Sequence, residues 1–542
     1  MSEKYILGID QSTSGTKALL FDGSGGLVHR CDMPHRQIID ENGWVEHDLM
    51  EIYGNTVSVV KQVITESGVV KSQIAGVGIS NQRETAAVWN KADGTPVYNA
   101  IVWQCARGEV ICSRVADNGH AEMIRETTGL PLSPYFSAAK IAWVLENVVA
   151  KDSEGSESDE GSESDEGSGS GGSSGSSGSS ESSGSGGSSG SGGSNRSGEG
   201  GGSTKSRALC AGTIDSWLLF KLTGNFKTDY SNASRTQLLD LRTLEWSREV
   251  CAAFNIDPSI LPQLCDSDSC FGFTDFDGFL DAPVPVHAVM GDSHGALFGQ
   301  GCHSPGMMKA TYGTGSSIMM NIGQYPVLSE KGLATSVAWR ISGKAEYVLE
   351  GNVNYTGAVI QWLKEDLGLI SSSAGLEEYA LQANREDETY IVPAFSGLGA
   401  PHWDSSARAV ICGMNRATGK AEIVKAALDC IAYQISDVIR VMLEAAGTSG
   451  DTLRADGGPT KNGYLMQFQS DVIDLPVLVP EREELSGTGA SYMAGIALGI
   501  YNKDEVFSSL RRTVFTPAMS EMDRRRKLAG WKSALRMAMQ RD

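Results

Sequence analysis

No apolar run in the chain approaches the roughly 18 residues that a membrane-spanning helix requires, and its opening, MSEKYILGID, lacks the apolar stretch of a secretory leader. A cytoplasmic protein without membrane insertion is therefore expected. Basic residues are in deficit: 45 Lys and Arg against 66 Asp and Glu leave a formal net charge of −21. A surface of that sign repels phosphate backbones, so no nucleic-acid partner is expected. The ten cysteines form no CxxC pair and no zinc-finger spacing, which points to a reducing compartment rather than a disulfide scaffold. There is also no GxxxxGK[ST] loop and no HRD or DFG motif, so phosphate chemistry here would not follow the P-loop or protein-kinase pattern.

What is present is a large core. With 542 residues, 40% of them hydrophobic and ten of them tryptophan, the chain exceeds what one core holds, so two or more domains are expected. Short apolar strands alternate with amphipathic helices, the pattern of layered α/β architecture. The segment 151–205 breaks that pattern. It is nearly all Ser, Gly and acid, with GSESDE repeated at 155–160 and 161–166. Such a composition cannot offset its own ordering entropy, which predicts a flexible, solvated loop inserted into one domain.

The most informative stretch is YILGIDQSTSGTKALLFD, residues 5–22. An apolar strand ends in Asp10, a hydroxyl-rich turn spans Gln11 to Thr16, and a second strand begins at Lys17. Such an apex can present N–H groups and hydroxyls to phosphate, while the carboxylate beside it can hold Mg²⁺ through water. Two further Gly-rich turns follow, Gly313–Gly315 and Gly457–Gly458, where backbone can approach a nucleotide without obstruction. Asp292 stands at the predicted end of the strand 286–290, in GDSHGA. A primary alcohol is a poor nucleophile, so a carboxylate in this position is a candidate proton acceptor.

These motifs, with GWVEHD (43–48), NQRET (81–85), NAIVWQ (99–104), YFSAAKIAWVLEN (135–147), TDYSNASRT (228–236), VPAFSGLGAPHWD (392–404), ARAVICGMNRATGKAEIVKAALD (407–429) and LMQFQSD (465–471), resemble the FGGY carbohydrate kinases, and among them the glycerol kinases. The resemblance runs from Tyr5 to Met537, interrupted by the insertion. It implies two actin-like α/β lobes of the ribonuclease H-like type, residues 1–298 and 299–542, with a catalytic cleft between them. It implies ATP and Mg²⁺ as cofactors, transfer to a primary hydroxyl of glycerol or a related polyol, and a homo-oligomer. Residue by residue, it implies Thr13, Ser14, Lys17, Thr314, Gly357, Gln361, Gly458 and Asn462 on the nucleotide and Asp10 on the metal. It implies Arg83, Glu84, Trp103, Tyr135, Asp292, Ser293 and Ser317 on the substrate, with Asp292 catalytic. A silent sensor of the same fold would be suggested by loss of Asp10 or Asp292, and both are present.

Several positions depart from the glycerol-kinase pattern. Ser293 and His294 follow Asp292 where Gln is usual, Ser317 replaces a Phe that faces the Trp across the substrate carbons, Lys17 replaces Arg and Gly15 replaces Ser. The lost wall at Ser317 predicts room for a longer polyol or ketose: erythritol, xylitol, ribitol, xylulose or ribulose. Arg242 stands where phosphohistidine-regulated relatives carry His, and DFDGFLDAP (275–283) replaces a Gly-Arg loop that binds sugar bisphosphate. Neither control is therefore expected.

Overall fold

The computed structural model describes residues 3–151 and 208–540. Apart from Lys151, the Ser/Gly/acid segment, predicted as a flexible loop, lies outside the described residues.

Two sheets organise the molecule. The first runs, in spatial order, Gly272–Thr274, Val284–Gly291, Ile74–Asn81, Tyr5–Gln11, Gly15–Phe21 and Leu27–Pro34. Tyr5–Gln11 pairs antiparallel with Gly15–Phe21 and parallel with Ile74–Asn81, which is itself parallel to Val284–Gly291. Parallel strands are covered on both faces, which is why IAGVGIS and its neighbours read as continuous apolar runs rather than alternating ones. The second sheet repeats this plan. Met308–Tyr312 forms a hairpin with Ser316–Gly323 and lies parallel to Leu453–Asp456, which lies parallel to Val477–Pro480. Lys344–Val353, Ala334–Ile341 and Arg512–Phe515 complete it. A strand–turn–strand followed by parallel strands, occurring twice, is the two-lobed actin-like architecture.

Each lobe has its own core. The 27-residue helix Lys420–Ala446 is buried along most of its length in the second lobe and ends at Gly447 in the left-handed conformation. The helix Leu485–Ala497 crosses back onto the first sheet. It lies so close that a side chain on Gly78 would meet the Ala490 carbonyl at 2.3 Å, and one on Gly489 would meet the Gly295 carbonyl at 1.9 Å. Its residues Ala490, Tyr492 and Met493 join Ile6, Phe21, Met290 and Met319 in one apolar cluster that spans both lobes.

A third, smaller sheet, built from Ile38–Ile39, Val45–His47, Ala100–Ile101, Ala86–Asn90 and Leu209–Thr213, stands beside the first. Ala86–Asn90 leaves the main sheet at the NQRET turn to join it. The detour carries Arg83, Glu84 and Trp103 to the mouth between the lobes.

Candidate active site

The first hairpin closes on itself at its apex: Ser12 N–H and its hydroxyl both donate to the Gly15 carbonyl, at 2.8 and 2.9 Å. Asp10 is buried below this turn and accepts from the Ser80 hydroxyl at 2.9 Å. Burial pushes its carboxyl up to about 6; Glu484 and Asp292 push the same way, and Lys17 opposes them. A groove that gathers carboxylates at this cost fits a hard divalent cation, which takes oxygen ligands. Lys17 reaches Glu484 at 2.5 Å and Asp10 at 4.0 Å, and Arg30 also binds Glu484, at 2.7 Å.

The NQRET turn builds the centre of the site. Glu84 sits at φ 60°, a left-handed conformation that is unusual for Glu. Its carbonyl is held by the Ser137 hydroxyl at 3.1 Å, and the Thr85 hydroxyl accepts from Trp103 N–H at 3.3 Å. Lys140 donates to the carbonyls of Pro134, Tyr135 and Phe136, so the YFSAAK motif fixes the turn that carries Tyr135. The Tyr135 ring packs against Trp103 with centroids 5.4 Å apart, and the Trp103 indole N–H donates to the Thr13 hydroxyl at 3.0 Å.

Beneath these side chains lies a buried ion network. Arg83 forms a two-pronged pair with Glu350, both bonds 2.9 Å, and its Nε lies 3.1 Å from Asp292. Arg235 Nε donates to Glu84 at 2.6 Å, and its Nη1 lies 3.0 Å from Glu350 as an ion pair. Burial opposes ionisation of Glu350, but the two guanidiniums outweigh it and hold the carboxyl below the usual range. Burial raises Glu84 despite the same two arginines.

Asp292 is the first residue of the helix Asp292–Gly299, which starts where Val284–Gly291 ends, and its side chain is 35% exposed. Three spaces line up along the cleft. An apolar slot of about 480 Å³ is lined by Gly357, Ile360, Leu376, Leu428, Pro459 and Asn462, among others. It shares Gly458 and Lys461 with a polar groove of about 780 Å³ that also holds Asp10, Lys17 and Gly457. The groove in turn shares Asp292 and Thr311 with a chamber of about 650 Å³ walled by Arg83, Glu84, Trp103, Tyr135, Ser293 and Ser317.

The predicted residues thus converge, with some differences in placement. Thr13 and Thr314, expected on the nucleotide, line the chamber that also holds Trp103 and Ser317. Ser14 is exposed at the hairpin tip, and Gln361 donates to Glu365 on an exposed helix face. His294 is turned inward, buried beside Ser336, with burial and Arg83 pushing its imidazole well below the ordinary value. Sequence reasoning missed Arg235, Glu350, Lys309 and Glu484. Arg235 lies inside the quoted TDYSNASRT motif, a signal that was at hand. The buried Lys309, which reaches the Thr311 hydroxyl at 3.0 Å and the Ser317 hydroxyl at 3.5 Å, had no comparable signal.

An apolar slot, a polar groove and a chamber in series between two α/β lobes, with groove and chamber meeting at Asp292, form the kind of cleft that a two-lobed small-molecule kinase requires. Residues 5–153 and 202–299 match the N-terminal domain, and residues 308–498 the C-terminal domain, of the FGGY family of carbohydrate kinases. The chain belongs to that family. It is 43% identical to glycerol kinase 1 of Thermotoga maritima over 98% of this chain and 99% of the relative. It is 39% identical to the Bacillus licheniformis glycerol kinase over 99% of both. Among solved structures, the Plasmodium falciparum glycerol kinase with ADP superposes with a TM-score of 0.85 at 31% identity, covering 99% of each chain. A Lactobacillus acidophilus xylulose kinase shares the fold at 19% identity, with a TM-score of 0.79 over 99% of this chain and 97% of the other.

Proposed function

We propose that the protein transfers the terminal phosphoryl group of ATP to a primary hydroxyl of glycerol or a related polyol, giving sn-glycerol 3-phosphate or its analogue and ADP. The observation that carries this reading is the position of Asp292 at the junction of groove and chamber. Its carboxylate takes the hydroxyl proton as the new O–P bond forms and the bond to the ADP oxygen breaks. Lobes of residues 1–298 and 299–542 close over the reactants and exclude water. The apolar slot takes the base, with Gly357, Gly458 and Asn462 at its wall. The first hairpin and Lys17 face the phosphates. Mg²⁺, held through Asp10, would supply charge neutralisation on the phosphate oxygens. Arg83 and Glu84 bind vicinal hydroxyls, and the Trp103 and Tyr135 rings cover the carbon chain. The proposal includes a cytoplasmic homo-oligomer.

The test is polyol-dependent ADP release. Wild type turns over, while Asp292→Asn loses about 10²- to 10⁴-fold in kcat with KM little changed. Retained turnover in that variant removes Asp292 as proton acceptor.

A second reading, a four- or five-carbon polyol or ketose as the preferred acceptor, rests on Ser317. It pairs in register with Asn352 across the sheet, and both line the chamber with Asn354 and Ser293. A wall of hydrogen-bonding groups suits additional hydroxyls. A panel of glycerol, erythritol, xylitol, ribitol, xylulose and ribulose decides between the readings, and the highest kcat/KM on glycerol ends the second.

A further inference from the structure

Away from the cleft, on the outer face of the first lobe, three ligating side chains meet. His29 and Cys31 lie two residues apart on the edge strand Leu27–Pro34, so both point to the same side of it. Glu66 comes from the last turn of the helix Leu49–Ser67, which packs against that strand. One carboxylate oxygen, Glu66 Oε2, lies 3.1 Å from His29 Nε2 and 3.4 Å from Cys31 Sγ. All three ligating atoms fall within 4.8 Å of one another.

From this geometry we infer that His29, Cys31 and Glu66 form a zinc site. Tetrahedral zinc binds nitrogen and oxygen at about 2.0–2.1 Å and sulfur at about 2.3 Å, which sets the N···O edge near ~3.3 Å and the S···O edge near ~3.6 Å. The two edges already present differ from those by a few tenths of an ångström, and the third, between His29 and Cys31, closes from within 4.8 Å toward ~3.6 Å as the ion enters. One thiolate, one imidazole and one carboxylate suit a borderline-soft divalent metal, with water completing the tetrahedron. The support around the ligands is in place. Gln62 donates to the other Glu66 oxygen at 2.9 Å, which leaves Oε2 facing the cluster. Cys31 is only 5% exposed and sits at the floor, while the side chains of His29 and Glu66 are 35% and 50% exposed and leave a way in from solvent. The bound ion would tie the edge strand to the helix across it.

The test uses the full chain titrated with Zn²⁺ alone against a chromogenic chelator, beside Cys31→Ser and Glu66→Gln, with Co²⁺ as a spectroscopic substitute. Both variants are checked for unchanged kinase turnover, which shows that they fold. The expected result is one zinc per wild-type chain, held at least about tenfold more tightly than by either variant, with a thiolate-to-cobalt charge-transfer band that disappears in Cys31→Ser. A smaller ratio overturns the assignment and leaves a hydrogen-bonded surface cluster. A cobalt spectrum with no thiolate band in wild type, or one that persists in Cys31→Ser, overturns it as well.

Discussion

Glu350 is the residue on which the most charge depends. Arg83 and Arg235 are almost fully buried; Arg83 donates two hydrogen bonds to its carboxylate, and Arg235 faces it as a buried ion pair. Removing one partner from a buried ion pair leaves an uncompensated charge, a loss of about 3–5 kcal/mol. Glu350→Gln is therefore expected to lower the unfolding midpoint in urea and to weaken polyol binding, since Arg83 would lose its fixed orientation. Asp215 gives a second prediction. It is buried, accepts from the Thr213 and Thr228 hydroxyls and lies near Asp229, and burial first of all pushes its carboxyl up to about 7. The folded state thus holds a proton that the unfolded chain releases near about 3.9. The stability this contributes is full below that value and is lost as pH rises through about 7. Asp215→Asn cannot titrate, so wild type should lose ground relative to the variant between about pH 4 and 7 when both are followed by thermal melts.

At the scale of elements, the helix Leu485–Ala497 decides how the lobes meet. Its Gly489 meets backbone on the helix Asp292–Gly299 at Gly295, and Gly78 of the first sheet leaves room for its Ala490 carbonyl. Gly489→Ala would force a methyl group against the Gly295 carbonyl. Overpacking of this kind costs about 1–3 kcal/mol, and because the strain falls at the start of the helix that carries Asp292, kcat should fall with the melting temperature. An unchanged melt would show that the helix can slide to make room. The strands and helices themselves were legible in the sequence. The strand predicted at 286–290 corresponds to Val284–Gly291, and the Gly313–Gly315 turn to the apex between Met308–Tyr312 and Ser316–Gly323. The departure of Ala86–Asn90 into a separate sheet was not legible, because its alternative partners are strands distant in sequence.

For the molecule as a whole, the ion network is also a mechanical element. Arg83 and Arg235 belong to the first lobe and Glu350 to the strand Lys344–Val353 of the second, so the lobes are pinned at this ion network. Closure is expected to pivot there and to narrow the groove between the first hairpin and the Gly457–Gly458 turn. Small-angle scattering should show a smaller radius of gyration with polyol and a non-hydrolysable ATP analogue together than with either alone. An invariant radius would mean a rigid cleft.

Local pattern by itself determined the layered α/β class and the acids at two strand tips. It also determined the glycines at the turns: Gly457, at φ 99° with the Tyr312 carbonyl 2.0 Å from where a side chain would begin, admits no other residue without strain. These follow from periodicity and backbone sterics, which act between near neighbours. Only the tertiary structure brought Glu350 to Arg83, Glu66 to Cys31, and Thr13 to Trp103. Charge pairing and ligation depend on distance in space, and residues far apart in the chain acquire that distance only when the lobes are packed.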